Sequence, residues 1–452
     1  MRSLVIVILA AALAAVAFLV WPRLEGSPPT LVAPESLRIG SAGAQVDVSW
    51  HDTGSGLRSV VAYLEMDTGA RPLLRRTLHE ASFDGSLLSG AVLPRESESA
   101  SLRIDPAKMH LPDGEATLVL GARDWSWADA LRGNAVEARI PVVIDTAPPR
   151  LAVDSGLTYV KRGGAAAVVY RASDDAVRHG VRVADAFFPG VTLRGRRNAA
   201  VFAIPIDAPH DAAVRVVAID EAGNEASMRF DVRIQERTFP EVSIELSQRF
   251  LESVSNELAA ANGLAGPDPV ENFRAVNETL RARSEERIRE AIPPASPKHW
   301  KGGFEQMHNS RVTSQFAELR DYIFHGRRVS RARHYGFDLA STAHAPITAS
   351  NDGTVAFAGD NGIYGQLVLI DHGLGITTLY GHLSRIDVAV GEIVRKGQQI
   401  GRSGATGLAG GDHLHFAVLA ASTYVDPIEW WDERWVREHI DVRVGDMEPG
   451  AR

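Results

Sequence analysis

Apolar residues recur along this chain in three rhythms. The first is an unbroken run: Leu4 to Trp21 holds eighteen residues without a charge, close to the ~20 that cross a hydrocarbon core. Arg2 precedes it, Trp21 suits the interface and Arg23 lies just beyond. The pattern predicts an uncleaved transmembrane anchor over 1–23. A signal peptide cut after Ala15-Val16-Ala17 is the alternative, and it would leave Phe18-Leu19-Val20-Trp21 at the new terminus. Residues 23–34, rich in Gly, Pro and Ser, read as a tether.

The second rhythm is alternation. Gln45 to Trp50 alternates strictly, and Ser59 to Leu64 and Ala116 to Leu120 are further strand-like runs bounded by turn residues. Ala122-Arg123-Asp124, Gly133-Asn134 and Val142-Val143-Ile144 recur as Ala218-Ile219-Asp220, Gly223-Asn224 and Val232-Arg233-Ile234. The copies stand about 90 residues apart, a β-sandwich's length. Two sandwiches are expected, over 30–146 and 147–236, with the hinge at Asp145-Thr146-Ala147-Pro148-Pro149.

Beyond Gln235 the period becomes helical. Phe250, Leu251, Val254 and Leu258 share a stripe that ends at Asn262-Gly263, and a second helix opens with Asp268-Pro269-x-Glu271 and runs to Ile292 before Pro293-Pro294. The segment 237–297 is expected as a helical linker, either a rigid arm or a lid over a groove. From 298 to 432 strands return. Thr354–Ala358, Gln366–Asp371, Ile376–Leu383 and His413–Ala420 are joined by Asp-Gly, His-Gly and Gly-rich turns, which predicts an antiparallel β domain followed by a tail over 433–452. The expected fold class is therefore mainly β and multidomain.

Composition narrows the function. Among 452 residues, 45% are hydrophobic and 23% charged, an ordinary globular balance. A net charge of -8 with no basic stripe argues against general nucleic-acid binding. Cysteine is absent, so any metal must be held by His and carboxylates. Asp52, Asp124, Asp129, Asp174, Asp175 and Asp220 are read as local turn-forming bonds rather than calcium ligands.

Candidate chemistry concentrates between His334 and His415. Residues two apart share a strand face, so His334 and Asp338 are expected on one side of a strand, with Gly336 giving room between them. His413 and His415 share a face in the same way, with Leu414 and Phe416 on the reverse. Two imidazoles and a carboxylate suit one Zn2+ with a fourth position open for water or substrate.

His334-x-Gly336-x-Asp338, Tyr380-Gly381-His382-Leu383 and Gly410-Gly411-Asp412-His413-Leu414-His415-Phe416 resemble the motifs of the lysostaphin-type (LytM-like) zinc metalloendopeptidases of peptidoglycan. The resemblance runs from Gly302 to Trp431. It implies His334, Asp338 and His415 as metal ligands, and His382 and His413 as unligated histidines serving the transition state. It also puts Arg320 and Tyr322 forward as substrate contacts, ahead of the neighbouring Arg327, Arg328, Arg331 and Arg333. There is no H-E-x-x-H helix, so a glutamate base is not indicated. The substrate it implies is the peptide crosslinks of peptidoglycan stem peptides, with an inner-membrane anchor and the bulk of the chain in the periplasm. The preceding sandwiches look like bacterial immunoglobulin-like domains, which would space the enzyme or dock a protein partner. The competing expectation is a non-catalytic wall-binding activator or scaffold for other hydrolases.

Overall fold

In the computed structural model, which describes residues 2–78 and 95–445, alternation becomes sheet as expected. Along Ala44–His51 the residues Val46, Val48 and Trp50 are buried and Asp47 is exposed. That strand pairs antiparallel with Thr30–Val32 and Ser97–Ile104. A five-stranded sheet runs Leu37–Ile39, Ala135–Ile144, Gly114–Asp124, Leu57–Met66, Gly69–Thr77. Its outermost pair, Leu37–Ile39 on Ala135–Ile144, is parallel. Their apolar faces form one core around Trp50, Leu64 and Leu118.

The chain divides into two compact units. One takes the residues up to Pro148 together with Ile219–Glu225, and the other takes Pro149–Ala218 and everything from Ala226. In the repeated motif the reason for the repeat is visible twice. Asp124 accepts from the Asn134 backbone at 2.7 Å and its side-chain amide at 2.9 Å, and Asp220 accepts the same two donors of Asn224 at 2.8 and 2.9 Å.

Arg2–Val20 is a helix whose side chains from Leu4 to Phe18 are exposed. Among the described residues no helix is long and apolar enough to cross a membrane, so the transmembrane role expected of residues 1–23 is not supported.

In the second unit, residues 151–235 form two four-stranded sheets and one two-stranded parallel ladder. The C-terminal sheet runs Arg311–Ser314, Phe337–Ala340, Leu414–Ala420, Ile376–Leu383, Gln366–Asp371, Gly353–Asp360, Ile393–Val394, antiparallel throughout. Val168 and Val201 from the first group and Leu369 and Val418 from the second belong to one continuous core. The boundaries drawn at 236 and 298 therefore do not separate two cores.

The segment expected as a helical linker opens instead with a strand, Glu241–Glu245, paired parallel to Leu319–Phe324. Its helices are then capped as their residues dictate. The Asp268 side chain accepts the Val270 amide at 2.9 Å, with Pro269 in the first turn. Leu251, Phe273, Val276, Leu280 and Ile288 are buried. The helices lie on the C-terminal domain: Asn277 donates to Ser330 Oγ at 2.9 Å and Arg274 to the Val329 carbonyl at 3.1 Å. They are not a free arm. The tail expected from 433 is helical as far as Val444, with Val436, Ile440 and Val444 buried, while 446–452 lie outside the described residues.

Candidate metal centre

Strand register builds the centre. Asp338 sits opposite His415, and His415 in turn opposite Gly381, so three neighbouring strands deliver their motifs to one place. His334 arrives differently. It follows the end of the Arg327–Arg333 strand and precedes Phe337–Ala340, so strand parity does not relate it to Asp338. Its ring is fixed by a bond from Nδ1 to the Gln315 carbonyl at 2.9 Å. Gly336 is indeed needed, for another reason: a β-carbon there would lie 2.5 Å from the Phe416 carbonyl and 2.8 Å from the His415 ring. Tyr335 lines the cavity and stacks on Tyr424 with centroids 4.9 Å apart.

Three donor atoms converge. His334 Nε2, Asp338 Oδ1 and His415 Nδ1 are 3.0 Å from one another in all three pairs. Tetrahedral bonds of ~2.0–2.1 Å to one ion would place donors ~3.3 Å apart, so the triangle is close to the right size for a single small cation. A carbonyl only accepts, so His334 donates Nδ1–H to Gln315 and turns Nε2 toward the other two donor atoms. Burial, partly offset by Asp338, brings the His415 ring down to about 4 and keeps it neutral. Burial alone would raise the Asp338 carboxyl, but the charge and hydrogen bond of His334, with bonds from His413 and His415, hold it well below the usual carboxylate range. A neutral His415 and an ionised Asp338 are states a metal requires of its ligands. His415 Nε2 is buried without a hydrogen-bond partner.

The other expected residues line the same cavity of about 140 Å³. His382 has φ of 62°, in the left-handed region that costs a non-glycine residue roughly 1–3 kcal/mol. Its Nδ1 donates to the Thr406 carbonyl at 2.8 Å, and burial followed by its histidine neighbours lowers it to about 3. His413 Nδ1 donates to the Gly411 carbonyl at 2.8 Å, with Nε2 3.5 Å from Asp338 Oδ1. The two rings are 4.8 Å apart. Arg320, expected to meet substrate, lines the cavity and donates from Nη2 to Asp338 Oδ2 at 2.9 Å. Tyr322 packs edge-on against Phe273 at 5.1 Å.

Two lining residues, Tyr364 and Arg281, and Glu285 behind them had no sequence signal. The Tyr364 hydroxyl donates to Glu285 at 2.6 Å and the Tyr424 hydroxyl to the same carboxylate at 2.8 Å. Ser284 Oγ accepts the Ile363 amide at 3.2 Å and its carbonyl accepts Asn361 Nδ2 at 3.1 Å. The helix Arg281–Ala291 is thereby fastened along the edge of the cavity.

Residues 332–427 match the model of peptidase family M23. The C-terminal segment is an M23 peptidase domain. Over 130 residues the chain is 39% identical to the DD-carboxypeptidase/endopeptidase Mpg of Neisseria meningitidis serogroup B, covering 28% of this chain and 29% of the relative. Over 119 residues it is 36% identical to the peptidoglycan DD-endopeptidase ShyB of Vibrio cholerae serotype O1, covering 26% and 27%. The similarity thus spans less than a third of either relative. Among solved structures, a putative M23 peptidase from Pseudomonas aeruginosa matches 60% of this chain and 94% of its own at 24% identity, with a TM-score of 0.36. The M23 domain holds all five histidine and aspartate positions considered above, and Arg281 and Glu285 lie N-terminal to it.

Proposed function

We propose that this protein is a zinc-dependent endopeptidase that hydrolyses peptide crosslinks between peptidoglycan stem peptides, D-alanyl bonds among them, outside the cytoplasm. The observation that carries the proposal is the equilateral set of three donor atoms at 3.0 Å in an M23 domain. Its two-nitrogen, one-oxygen composition suits Zn2+ with a position left open. When bound, such an ion polarises a carbonyl and acidifies water.

The chain's own residues supply the rest. His382 and His413 each spend Nδ1–H on a carbonyl, which turns Nε2 of His382 to the cavity and Nε2 of His413 to the donor triangle, 3.5 Å from Asp338 Oδ1. One can take a proton from water while the other stabilises the developing oxyanion or serves the leaving amine. Arg320 holds the second oxygen of Asp338, so that Oδ1 stays aimed at the donor triangle.

The cavity of about 140 Å³ is well below the ~300 Å³ at which small-molecule sites begin. A crosslinked peptide pair needs a longer groove, so the helix Arg281–Ala291 acts as a lid that shifts when substrate enters. The test is digestion of isolated crosslinked wall by the full chain, with metal analysis in parallel. Released, uncrosslinked stem peptides together with one ion per chain support the reading. Wall binding without cleavage, in protein loaded with zinc, would favour the activator or scaffold instead.

A further inference from the structure

The first unit contains a second convergence of acids. Glu25, Asp52 and Asp124 each bring a ligand atom to within 4.8 Å of the others. Glu25 belongs to the segment entering the sheets, Asp52 to the turn after Ala44–His51, and Asp124 to the end of Gly114–Asp124. Asp52 is 6% exposed and Asp124 fully buried.

Local donors occupy only part of these carboxylates. Asp124 Oδ1 accepts Ser126 N, Ser126 Oγ and Asn134 N, but its Oδ2 accepts Asn134 Nδ2 alone. Glu25 Oε1 accepts Ser55 N at 2.5 Å, and Asp52 Oδ1 accepts Gly54 N at 3.4 Å. Asp52 Oδ2 is buried with no hydrogen-bond partner at all, and so is the hydroxyl of Ser55. A buried carboxylate oxygen without a donor is met by a proton or by a cation, and with two more carboxylates beside it a cation satisfies all three at once.

Arg23 is close enough for Asp124 and Glu25 to act on its charge, but its hydrogen bond goes elsewhere. It donates from Nη1 to the Trp125 carbonyl, lies over that ring at 5.6 Å, and leaves Nε and Nη2 unpartnered. Room has been made for the acids instead: a β-carbon on Gly54 would fall 1.3 Å from Glu25 Oε2. Burial, and then Glu25 beside it, push the Asp52 carboxyl up to about 6.

We propose that Glu25, Asp52 and Asp124 form a binding site for a hard divalent cation, Ca2+, which ties the entering segment to the two turns. All-oxygen donors in irregular placement fit Ca2+, with its six to eight flexible bonds, better than the octahedral Mg2+ or the nitrogen-preferring Zn2+. The site is independent of the peptidase reading.

Tb3+ serves as the luminescent stand-in for Ca2+, because Trp125 adjoins Asp124 in the chain and can sensitise it. The full chain, loaded with zinc beforehand, should give saturable tryptophan-sensitised Tb3+ emission that Ca2+ displaces. Ca2+ should also raise its unfolding temperature. Asp52→Asn should weaken binding at least tenfold and lose the thermal shift, while wall hydrolysis stays as in the parent. Should Asp52→Asn not fold, Glu25→Gln, at a half-buried position, gives the same reading. Emission that does not saturate or that Ca2+ fails to displace overturns the proposal. Affinity equal to the parent in both variants overturns it as well.

Discussion

Asp338 meets more partners than any other side chain of the centre. Its Oδ1 faces His334 and His415 at 3.0 Å and its Oδ2 takes Arg320 at 2.9 Å. A residue that orients a metal ligand is worth ~10–100-fold in affinity. Arg320→Leu is therefore expected to weaken zinc binding by about that factor, and Arg320→Lys to recover part of it, as read in competition against a chromogenic chelator. Unchanged affinity in Arg320→Leu would return the residue to a substrate role. His413→Ala is expected to retain the ion and lose roughly 10²–10⁴-fold in turnover. Full turnover would remove His413 from the chemistry. Both expectations concern residues already legible in the sequence, because motif spacing survives whatever backbone carries it. Strand parity was a poorer guide: it put His334 and Asp338 on one strand, whereas a turn and the Gln315 carbonyl aim His334.

At the scale of elements, what the sequence left open is where the second helix lies, as an arm or along the cavity. Its capping residues and its stop at Pro293-Pro294 announced a helix, but periodicity states which face is apolar and not what that face will cover. Glu285 meets Tyr364 and Tyr424 across 79 and 139 residues of chain, a separation no local pattern encodes. Glu285→Gln leaves one good acceptor for two hydroxyls, a loss of ~1 kcal/mol. If the helix restrains access, that variant should digest crosslinked wall about fivefold faster with the same zinc content. A slower enzyme of undiminished stability would mean that Glu285 serves Tyr364 in catalysis rather than holding a lid. Gly336→Ala tests the sheet itself: the added carbon must push the His415 ring or the Phe416 carbonyl, so metal retention should fall although no ligand is changed.

Across the whole molecule, the sheets of 151–235 and the M23 domain share a core, and Glu429 is one of the polar groups sealed into it. Its carboxylate accepts the Ala165 amide at 3.0 Å, and burial raises it to about 7 from an ordinary 4.5. A carboxyl raised on folding adds stability that is fully present below its unfolded value and is lost as pH climbs through the folded one. Thermal stability should therefore decline between pH 4.5 and 7, by up to about 3 kcal/mol from this group. Glu429→Gln should flatten that part of the profile. Strand and helix segments were legible as alternation and period, but the joining of the sheets of 151–235 to the C-terminal core was not, since apolar faces look alike whether they close on themselves or on a neighbour.

The central claim is that one ion held by His334, Asp338 and His415 lets this chain cut wall crosslinks. Stripping the full-length protein of metal and titrating zinc back, while counting uncrosslinked stem peptides released from isolated wall, tests it most directly. The account predicts no release from the stripped protein, a rise that levels off at one zinc per chain, and no recovery in His334→Ala at any zinc level. Release that persists in the stripped protein, or that His334→Ala supports as well as the parent, would contradict it.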